Sequence, residues 1–389
     1  MRFPGFETAW EKKSVGKVIS IKSDKYNPDT DESEFSCIEL ESLSQGTGEL
    51  LLTFSSKNQK STKNVFNSGD VLFGKLRPYL RKFYLVDFKG VCSSEIWVMN
   101  STVFNPLYLY AYVQSNRFLS LTEITSGSKM PRADWNLISA SVIRYPKEFK
   151  EREKIGDLFR LVNERIHTQS QIIKNLQSLM LGLRQRIFSQ QLRFKDDEEN
   201  EFPEWTKVRL DNLTSKTDKK NKQNIQYPIY SINNKEGFLP QSEQFEGMDS
   251  NERGYDISLY KVINKNTFAY NPARINVGSI GYSGDLENII ISSLYVCFKT
   301  KDLLEDKYLR QYLNTFQFNK DVLRYSEGGV RQYLFFENFS KIKIPLPAIK
   351  EQTKIANFLS ALDEKMEREK EILAQYRQQK KYLLHNVFI

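Results

Sequence analysis

The chain repeats part of itself at an interval of 200 residues, and this duplication limits the possible folds more than any other feature. Residues 143–166 read IRYPKEFKEREKIGDLFRLVNERI, and residues 343–366 read KIPLPAIKEQTKIANFLSALDEKM. Further along, Ile187 and Phe188 correspond to Val387 and Phe388. Because the register holds over about 40 residues without a gap, we interpret the match as an internal duplication.

Fainter similarities extend the duplication upstream. The segment from Phe3 to Trp10 resembles the segment from Phe202 to Trp205, and each is followed by a lysine-rich stretch of alternating apolar residues. Each half therefore consists of a variable segment, a proline and a long helix. Between the halves lies KDDEENEFPE, whose acidic character and proline indicate an exposed linker.

Apolar residues recur in both copies at alternating intervals of four and three, which is the spacing of a coiled-coil seam. Nine of ten such positions are apolar in the first copy and eight of ten in the second, where Glu369 and Lys380 are the exceptions. All of these positions except Lys380 form the predicted helix-pair seam: Ile155, Phe159, Val162, Ile166, Gln169, Ile173, Leu176, Met180, Leu183, Ile187, Ile355, Leu359, Leu362, Met366, Glu369, Leu373, Tyr376, Leu383 and Val387.

Such helices need a partner, and the economical choice is each other. An antiparallel pair places Gln169 and Glu369 near the middle of both helices, where polar seam residues fix the register or are merely tolerated. Parallel dimerisation between two chains is the competing arrangement. From Ile155 to Ile187 a helix extends on the order of 50 Å, enough to hold two DNA-reading elements about one helical turn or more apart.

The remaining segments combine short strands and helices. Runs such as SSEIWVMNS and NIIISSLYVCF predict strands, and NPLYLYAYVQSNRFL and DKYLRQYLNTFQFNKDVL predict helices at equivalent places in the two halves. The fold class is therefore α+β, with small twisted sheets plus helices in each variable domain, an antiparallel coiled coil and an internal pseudo-twofold repeat. The predicted boundaries are 1–145 and 203–342 for the variable domains, 146–194 and 343–389 for the helices, and 195–202 for the linker.

Charge and composition suggest a DNA-binding protein of the cytoplasm. The formal net charge is +9, and residues 51–150 hold 14 lysines and arginines against 6 aspartates and glutamates. A solubilising surface explains such a surplus equally well. The beginning of the chain lacks an apolar export segment, and its apolar runs are too short to cross a membrane, so we expect no membrane association.

Basic side chains next to turns are the candidate DNA contacts, because Arg and Lys bind phosphates and guanine edges while Gln contacts other base edges. They cluster in LFGKLRPYLRKF and TSGSKMPRADW in the first half, and more loosely in the second. The candidate DNA-binding residues are Lys75, Arg77, Arg81, Lys82, Lys129, Arg132, Lys216, Lys219, Lys220, Lys222, Arg274, Arg331 and Gln332.

Recognisable catalytic and metal signatures are missing from the sequence. Asn105 to Tyr108 resembles an adenine methyltransferase motif but lacks its second proline, so we interpret it as a helix start. Gly74 and Lys75 lack the remaining residues of a phosphate-binding P-loop. The cysteines (Cys37, Cys92 and Cys297) and the histidines (His167 and His385) are too widely spaced for a disulfide frame, zinc site or catalytic triad.

Two variable segments, each followed by a long helix with the pattern PxP-xx-KEQxKI, resemble the specificity subunits of type I restriction-modification systems. The strongest carriers are IPLPAIKEQTKIANFLSALDEKM and its echo YPKEFKEREKIGDLFRLVNERI. The openings FPEWTKVRLDNL and TAWEKKSVGKVI are similar to the starts of that family's target recognition domains, so the resemblance covers nearly the whole chain. The first copy departs from the pattern, with Arg152 in place of Gln352 and a single proline, Pro146.

The resemblance implies two target recognition domains, each reading half of an asymmetric bipartite site in double-stranded DNA, joined by helices that set the spacing. It also implies two methyltransferase subunits that use S-adenosylmethionine, and two restriction/translocase subunits that need ATP and magnesium. No cofactor and no enzymatic activity are expected on this chain itself.

Alternative hypotheses remain open from the residues alone. One is a DNA-binding regulator that dimerises through the long helices, and another is a non-catalytic scaffold with weak DNA affinity and no sequence preference. An intrinsic nuclease or methyltransferase is a third.

Overall fold

A computed structural model of the chain describes residues 2–124, 130–244, 249–250, 252–329 and 332–388. The chain divides into two compact units, of which the first comprises Met1–Ile172 and Glu369–Ile389 and the second comprises Ile173–Arg368. We call these the first and second units. Each long helix therefore contributes one segment to each unit.

The helices and strands follow a similar order in the two halves of the sequence, and the described residues of the second half form two additional short helices. The first half contains β1 (Glu11–Ser14), β2 (Lys25–Tyr26), β3 (Ser36–Ile38), β4 (Phe54–Ser55), β5 (Lys63–Phe66), β6 (Val71–Gly74), β7 (Phe83–Leu85), β8 (Gly90–Cys92), β9 (Ile96–Met99), α1 (Pro106–Val113), α2 (Asn116–Thr122), α3 (Trp135–Ala140), β10 (Val142–Tyr145) and α4 (Phe149–Phe188).

The second half continues with β11 (Thr206–Arg209), α5 (Leu210–Leu213), β12 (Thr214–Thr217), β13 (Ile229–Asn233), β14 (Gly237–Pro240), α6 (Gln241–Gln244), β15 (Lys261–Ile263), β16 (Phe268–Tyr270), β17 (Ile280–Tyr282), β18 (Ile289–Ile291), β19 (Val296–Thr300), α7 (Asp306–Tyr312), α8 (Phe316–Tyr325), α9 (Phe336–Phe339), β20 (Lys343–Leu346) and α10 (Ile349–Val387). Short 3₁₀ helices lie at Val15–Lys17, Leu40–Ser42, Ser56–Asn58, Pro78–Leu80, Ile257–Leu259 and Ile275–Val277.

Equivalent small sheets organise both halves. In the first unit β1 pairs with β10, while the other strands form sheets in the orders β2-β5-β8-β3-β4 and β7-β6-β9. In the second unit β11 pairs with β20, and the other orders are β12-β19-β16-β17 and β14-β13-β18-β15. In each unit the first strand of the half thus runs antiparallel to the strand that precedes a long helix. The predicted α+β repeat is confirmed.

The predicted helical stretches each form two helices because a hydroxyl residue interrupts them. The Ser115 side chain accepts a hydrogen bond from the Phe118 amide, and the Thr315 side chain accepts one from the Phe318 amide. Such N-caps satisfy amides that otherwise lack partners in the first turn. Asn105 caps α1 in the same way, with its Oδ1 2.7 Å from the Tyr108 amide nitrogen, so the interpretation of this motif as a helix start is confirmed.

Both long helices begin at equivalent positions, although the sequence differs there. Arg152 Nη1 donates to the carbonyl oxygens of Pro146 and Lys147 at 2.7 Å. Gln352 Nε2 donates to the Pro347 carbonyl oxygen at 2.9 Å. Both side chains therefore satisfy carbonyls of the chain just before the helix, which explains how α4 starts at the expected place despite its departure from the family pattern.

In the first unit the helix segments run antiparallel. Phe159 stacks on Phe388 with ring centroids 5.9 Å apart. Farther along α4 and earlier along α10, Gln169 Nε2 donates to the Glu369 carbonyl oxygen at 3.1 Å and to its carboxylate at 2.5 Å. Later residues of α4 therefore contact earlier residues of α10, as antiparallel helices require.

The second unit has the same antiparallel arrangement. Arg184 Nη2 lies 3.2 Å from Asp363 Oδ1, and Phe194, just beyond α4, packs on Phe358 at 5.5 Å. Met180 and Ile187 share a core with Ile355 and Leu359. All predicted seam residues lie buried or half-buried in the structure.

A completely buried carboxylate clamps the start of each long helix. Glu151 accepts from Arg2 Nε at 2.9 Å and Nη2 at 3.0 Å, and from Trp10 Nε1 at 3.4 Å. In the second unit Glu351 accepts from Arg193 at 3.3 and 3.1 Å and from Trp205 Nε1 at 2.9 Å. Each variable segment is thereby fastened at its beginning to the helix that follows it.

Aromatic side chains receive the ends of the helices in the same pattern. Phe388 contacts Tyr108 and Tyr112 of α1, with centroids 5.4 and 5.8 Å apart. Phe188 contacts Tyr308 and Tyr312 of α7, both at 5.4 Å. The conserved offset of 200 residues thus reflects matching contacts in the two cores.

We predict that Glu351→Gln lowers the free energy of unfolding of the second unit by about 3 kcal/mol, because Arg193 then loses its buried counter-charge and keeps only the exposed Glu204. Urea unfolding measures the effect. The exposed Glu364 on the same helix provides the control, since Glu364→Gln is expected to change stability by less than about 0.5 kcal/mol. Equal losses in the two variants would contradict the clamp.

Candidate nucleic-acid interface

A rigid turn after β6 carries the first group of candidate DNA contacts. Arg77 and Arg81 flank the 3₁₀ helix Pro78–Leu80, and both adopt left-handed backbone angles, with φ of 51° and 49°. Few non-glycine residues adopt this conformation without support from surrounding structure. Here the Arg77 amide donates to the Pro131 carbonyl at 2.8 Å. The turn is therefore held in place while the Arg77 side chain is exposed.

The segment before α3 lies against this turn and brings a second candidate group to it. The Ala133 amide donates to the Lys75 carbonyl at 2.9 Å, and Leu76 forms an isolated bridge with Arg132. Arg132 also pairs with Glu95 at 3.0 Å. Hydrogen bonding to this carboxylate raises the pKa of the arginine. Lys75, Arg77 and Arg132 therefore share one edge of the first unit.

The second unit repeats the main-chain contact of this turn after β16, although Arg274 has a φ of −135° rather than a left-handed angle. The Leu334 amide donates to the Pro272 carbonyl at 3.0 Å, as Ala133 does to Lys75. Arg274 then precedes the 3₁₀ helix Ile275–Val277, as Arg77 precedes Pro78–Leu80. Both arginines are exposed. Arg77 and Arg274 are therefore equivalent residues of the two units, and exposed Gln332 lies two residues before Leu334.

Other candidates in the first unit have different surroundings. Lys82 is half-buried, and its ammonium group donates to the Leu40 carbonyl at 2.5 Å, so it supports the fold. Arg81 lines a cavity beside the long helices. Lys129 lies outside the described residues.

In the second unit, Lys216 pairs with Glu337 at 3.4 Å on the surface. Lys219, Lys220 and Lys222 are exposed in the segment that follows β12. This segment lies beside β15, because Lys220 forms a bridge with Lys261. Arg331 lies outside the described residues.

A third turn lies beside the arginines in each unit, and the sequence motifs do not predict it. It joins β8 to β9 and β18 to β19, and in each case two serines precede its tip, which is Glu95 in the first unit and Leu294 in the second. The Lys75 amide donates to the Glu95 carbonyl at 2.9 Å. Leu294 is 77% exposed, although it is apolar. The shared serine pairs were the available signal.

Aromatic side chains add a flat surface in the second unit. The Tyr333 and Phe335 rings stack with centroids 5.8 Å apart and planes 3° from parallel. Phe335 is 50% exposed. An exposed ring of this kind offers apolar contact to a thymine methyl group or a base.

Metal and membrane sites are not evident in the described part of the chain. Within the described ranges, histidine, cysteine and carboxylate side chains do not gather in any group able to hold a metal ion. Cys37, Cys92 and Cys297 are buried and free. None of the described helices combines the length and apolar character that a bilayer span requires.

Comparison with known proteins links the second half to one family. The family model described as type I restriction modification DNA specificity domain matches residues 204–376. The type I restriction enzyme EcoDI specificity subunit of Escherichia coli is 33% identical over 58 residues, which are 15% of this chain and 13% of that protein. The matched segment is thus a small part of the curated relative.

Solved structures with the same fold extend the similarity to the remainder of the chain. A chain from the work "Structural basis underlying complex assembly and conformational transition of the type I R-M system" has a TM-score of 0.60 at 17% identity, covering 97% of both chains. The type I restriction-modification system S subunit from M. genitalium has a TM-score of 0.59 at 14% identity, covering 100% of this chain and 97% of that one. The chain therefore shares its duplicated α+β fold with a type I restriction-modification S subunit of known structure, and its residues 204–376 match that family's DNA specificity domain.

Proposed function

We propose that each half of this chain reads one half of an asymmetric, bipartite site in double-stranded DNA, and that partner subunits perform the chemistry. The observation that carries the proposal is the equivalent placement of Arg77 and Arg274 on turns held by main-chain hydrogen bonds. Arginine is the side chain best suited to bidentate contact with guanine and to phosphate binding.

The neighbours of these arginines support unlike half-sites. In the first unit the adjacent turn presents Glu95, whose carboxylate accepts from Arg132 at 3.0 and 3.1 Å and has further lone pairs for a donor such as the cytosine amino group. In the second unit the equivalent residue is Leu294, which offers only apolar contact. Identical arginines in different surroundings favour different base sequences.

The use of the helix seam argues for this function over a dimerising regulator. In each unit the seam residues of α4 pack against α10 of the same chain. A second copy that paired through the same seam would have to displace these contacts, since each apolar side chain is buried once.

The similarity to type I restriction-modification specificity subunits suggests the partners. We propose that two methyltransferase subunits with S-adenosylmethionine bind this chain and methylate adenines. Two restriction/translocase subunits with ATP and magnesium would complete a cytoplasmic complex. This chain would then supply DNA specificity without a catalytic group of its own.

Mapping of methylated adenines in a genome that expresses this chain with its methyltransferase tests the proposal. We expect a split site with unlike halves separated by a fixed number of unread base pairs. A single palindromic target would contradict it, as would methylation without sequence preference.

We predict that Arg77→Ala and Arg274→Ala each weaken binding to the cognate DNA by about 1–3 kcal/mol, and that each relaxes one half-site only. Binding to a library of DNA variants, measured with the assembled methyltransferase, resolves the two effects. The exposed Lys222→Ala provides a control, for which a loss without change of sequence preference is expected if it contacts phosphate. Relaxation of the same half-site by both arginine variants would contradict the proposal.

We further predict that one extra heptad in α4, matched by one in α10, lengthens the unread spacer and leaves both half-sites unchanged. Seven residues add about 10 Å of helix, equal to about 3 base pairs, and a whole heptad preserves the seam. Methylation mapping checks this outcome. An altered half-site with constant spacing would count against the spacer role.

A further inference from the structure

The first unit contains a cavity of about 360 Å³ that the DNA-reading role does not use. Its walls are formed by α4 and α10 on one side, and by α1, α2, β7 and the loop around Gly48 on the other. Cavities of this volume accommodate small molecules.

Glycines bring the loop close to the cavity wall. The Gly46 amide donates to the Arg81 carbonyl at 3.0 Å. Gly48 has a φ of +74°, and a Cβ atom there would lie 2.1 Å from the Tyr110 hydroxyl oxygen. The loop therefore fits against Tyr110 only because residue 48 has no side chain.

Positive charge dominates the polar part of the lining. Arg81, Arg377, Lys380 and Lys381 line the cavity, whereas Glu49 is the one carboxylate among its lining residues. Glu49 lies 3.9 Å from His167 Nδ1. In the part of the chain that the structure describes, none of the four cationic side chains forms an ion pair. Arg81, Arg377 and Lys381 are exposed to solvent and Lys380 is half-buried, so an anion would act as a counter-charge for Lys380 above all.

Lys380 is the most constrained of these cations. It occupies a position of the helix seam spacing where an apolar residue is usual. Burial, followed by repulsion from Arg377, lowers its pKa from the ordinary value of 10.5 to about 8. A ligand with negative charge would remove this unfavourable environment.

One part of the lining is apolar and favours a ligand with an organic part. Phe83, Leu119, Ile166 and Leu384 contribute to the walls. A bare inorganic anion would leave these side chains without contact, whereas a nucleoside or a similar ring system would bury them.

We propose that this cavity binds a small organic phosphate of mononucleotide size, with the phosphate among Arg81, Arg377 and Lys380 and the organic part against the apolar wall. The proposal does not depend on the DNA-reading role of the chain.

Calorimetric titration of the full chain with AMP, adenosine and inorganic phosphate tests the proposal. AMP is expected to bind at least about tenfold more tightly than either of the others, because only AMP supplies both parts. Lys380→Met is expected to weaken AMP at least about tenfold, and exposed Lys365→Met on the same helix to leave it unchanged. Methionine suits the seam position, so the variant should melt at or above the wild-type temperature. Arg377→Met provides a second variant.

Equal binding of AMP and adenosine would overturn the proposal, as would absence of AMP binding at about 5 mM or unchanged affinity in both variants. The phosphate bound in the cavity could also come from the DNA backbone. Competition between AMP and short duplex DNA distinguishes this alternative. If duplex DNA displaces AMP, and Lys380→Met weakens the duplex as much as AMP, the cavity belongs to the DNA-binding surface and the small-molecule proposal is wrong.

The affinity for AMP is also expected to fall as the pH rises through about 8, because the free chain then loses the Lys380 proton that phosphate binding requires. The charged and titratable groups that line the cavity with Lys380 are Arg81, Glu49 and Tyr110 from the variable domain, His167 from α4, and Arg377 and Lys381 from α10. Lys380→Arg keeps the charge and should remove the decline. A flat profile in the wild type would contradict the assignment of Lys380 to the phosphate.

Discussion

The packing of each long helix against its counterpart is the contact on which the rest of the structure depends. Most of the stability of a helix in a protein comes from packing its apolar face, so each long helix depends on its contacts with the other. α4 buries Ile155 and Phe159 in one core and Met180 and Ile187 in the other, and α10 does the converse. The variable segments complete both cores, so the long helices and the variable segments fold together.

Much of this arrangement could be predicted because it is written in local patterns. The seam spacing and the offset of 200 residues are visible in the sequence, and so is the cap at Asn105. The sequence predicts Arg77 and Arg274 to be basic residues next to turns, but it does not show that the two residues are equivalent. Their equivalence follows from hydrogen bonds such as Ala133 to Lys75, which join residues far apart in the chain.

Contacts between residues far apart in the chain also explain what the sequence could not reveal. Lys82 belongs to the basic cluster by position, yet its ammonium group is taken up by a carbonyl in a distant 3₁₀ helix. Arg81 lines a cavity whose other cations come from the end of the chain. Glu95 and Leu294 become candidate contacts only because they lie next to the turns that carry Arg77 and Arg274. Proximity in the fold, rather than residue type, assigns these roles.

The turns around Arg77 and Arg274 are fixed by amide-to-carbonyl bonds rather than by the side chains they display. A main-chain framework of this kind is indifferent to most substitutions at its tips, as the exchange of glutamate for leucine at the equivalent sites already illustrates. Under the proposed function, single replacements at these tips would therefore change the target sequence and leave thermodynamic stability intact.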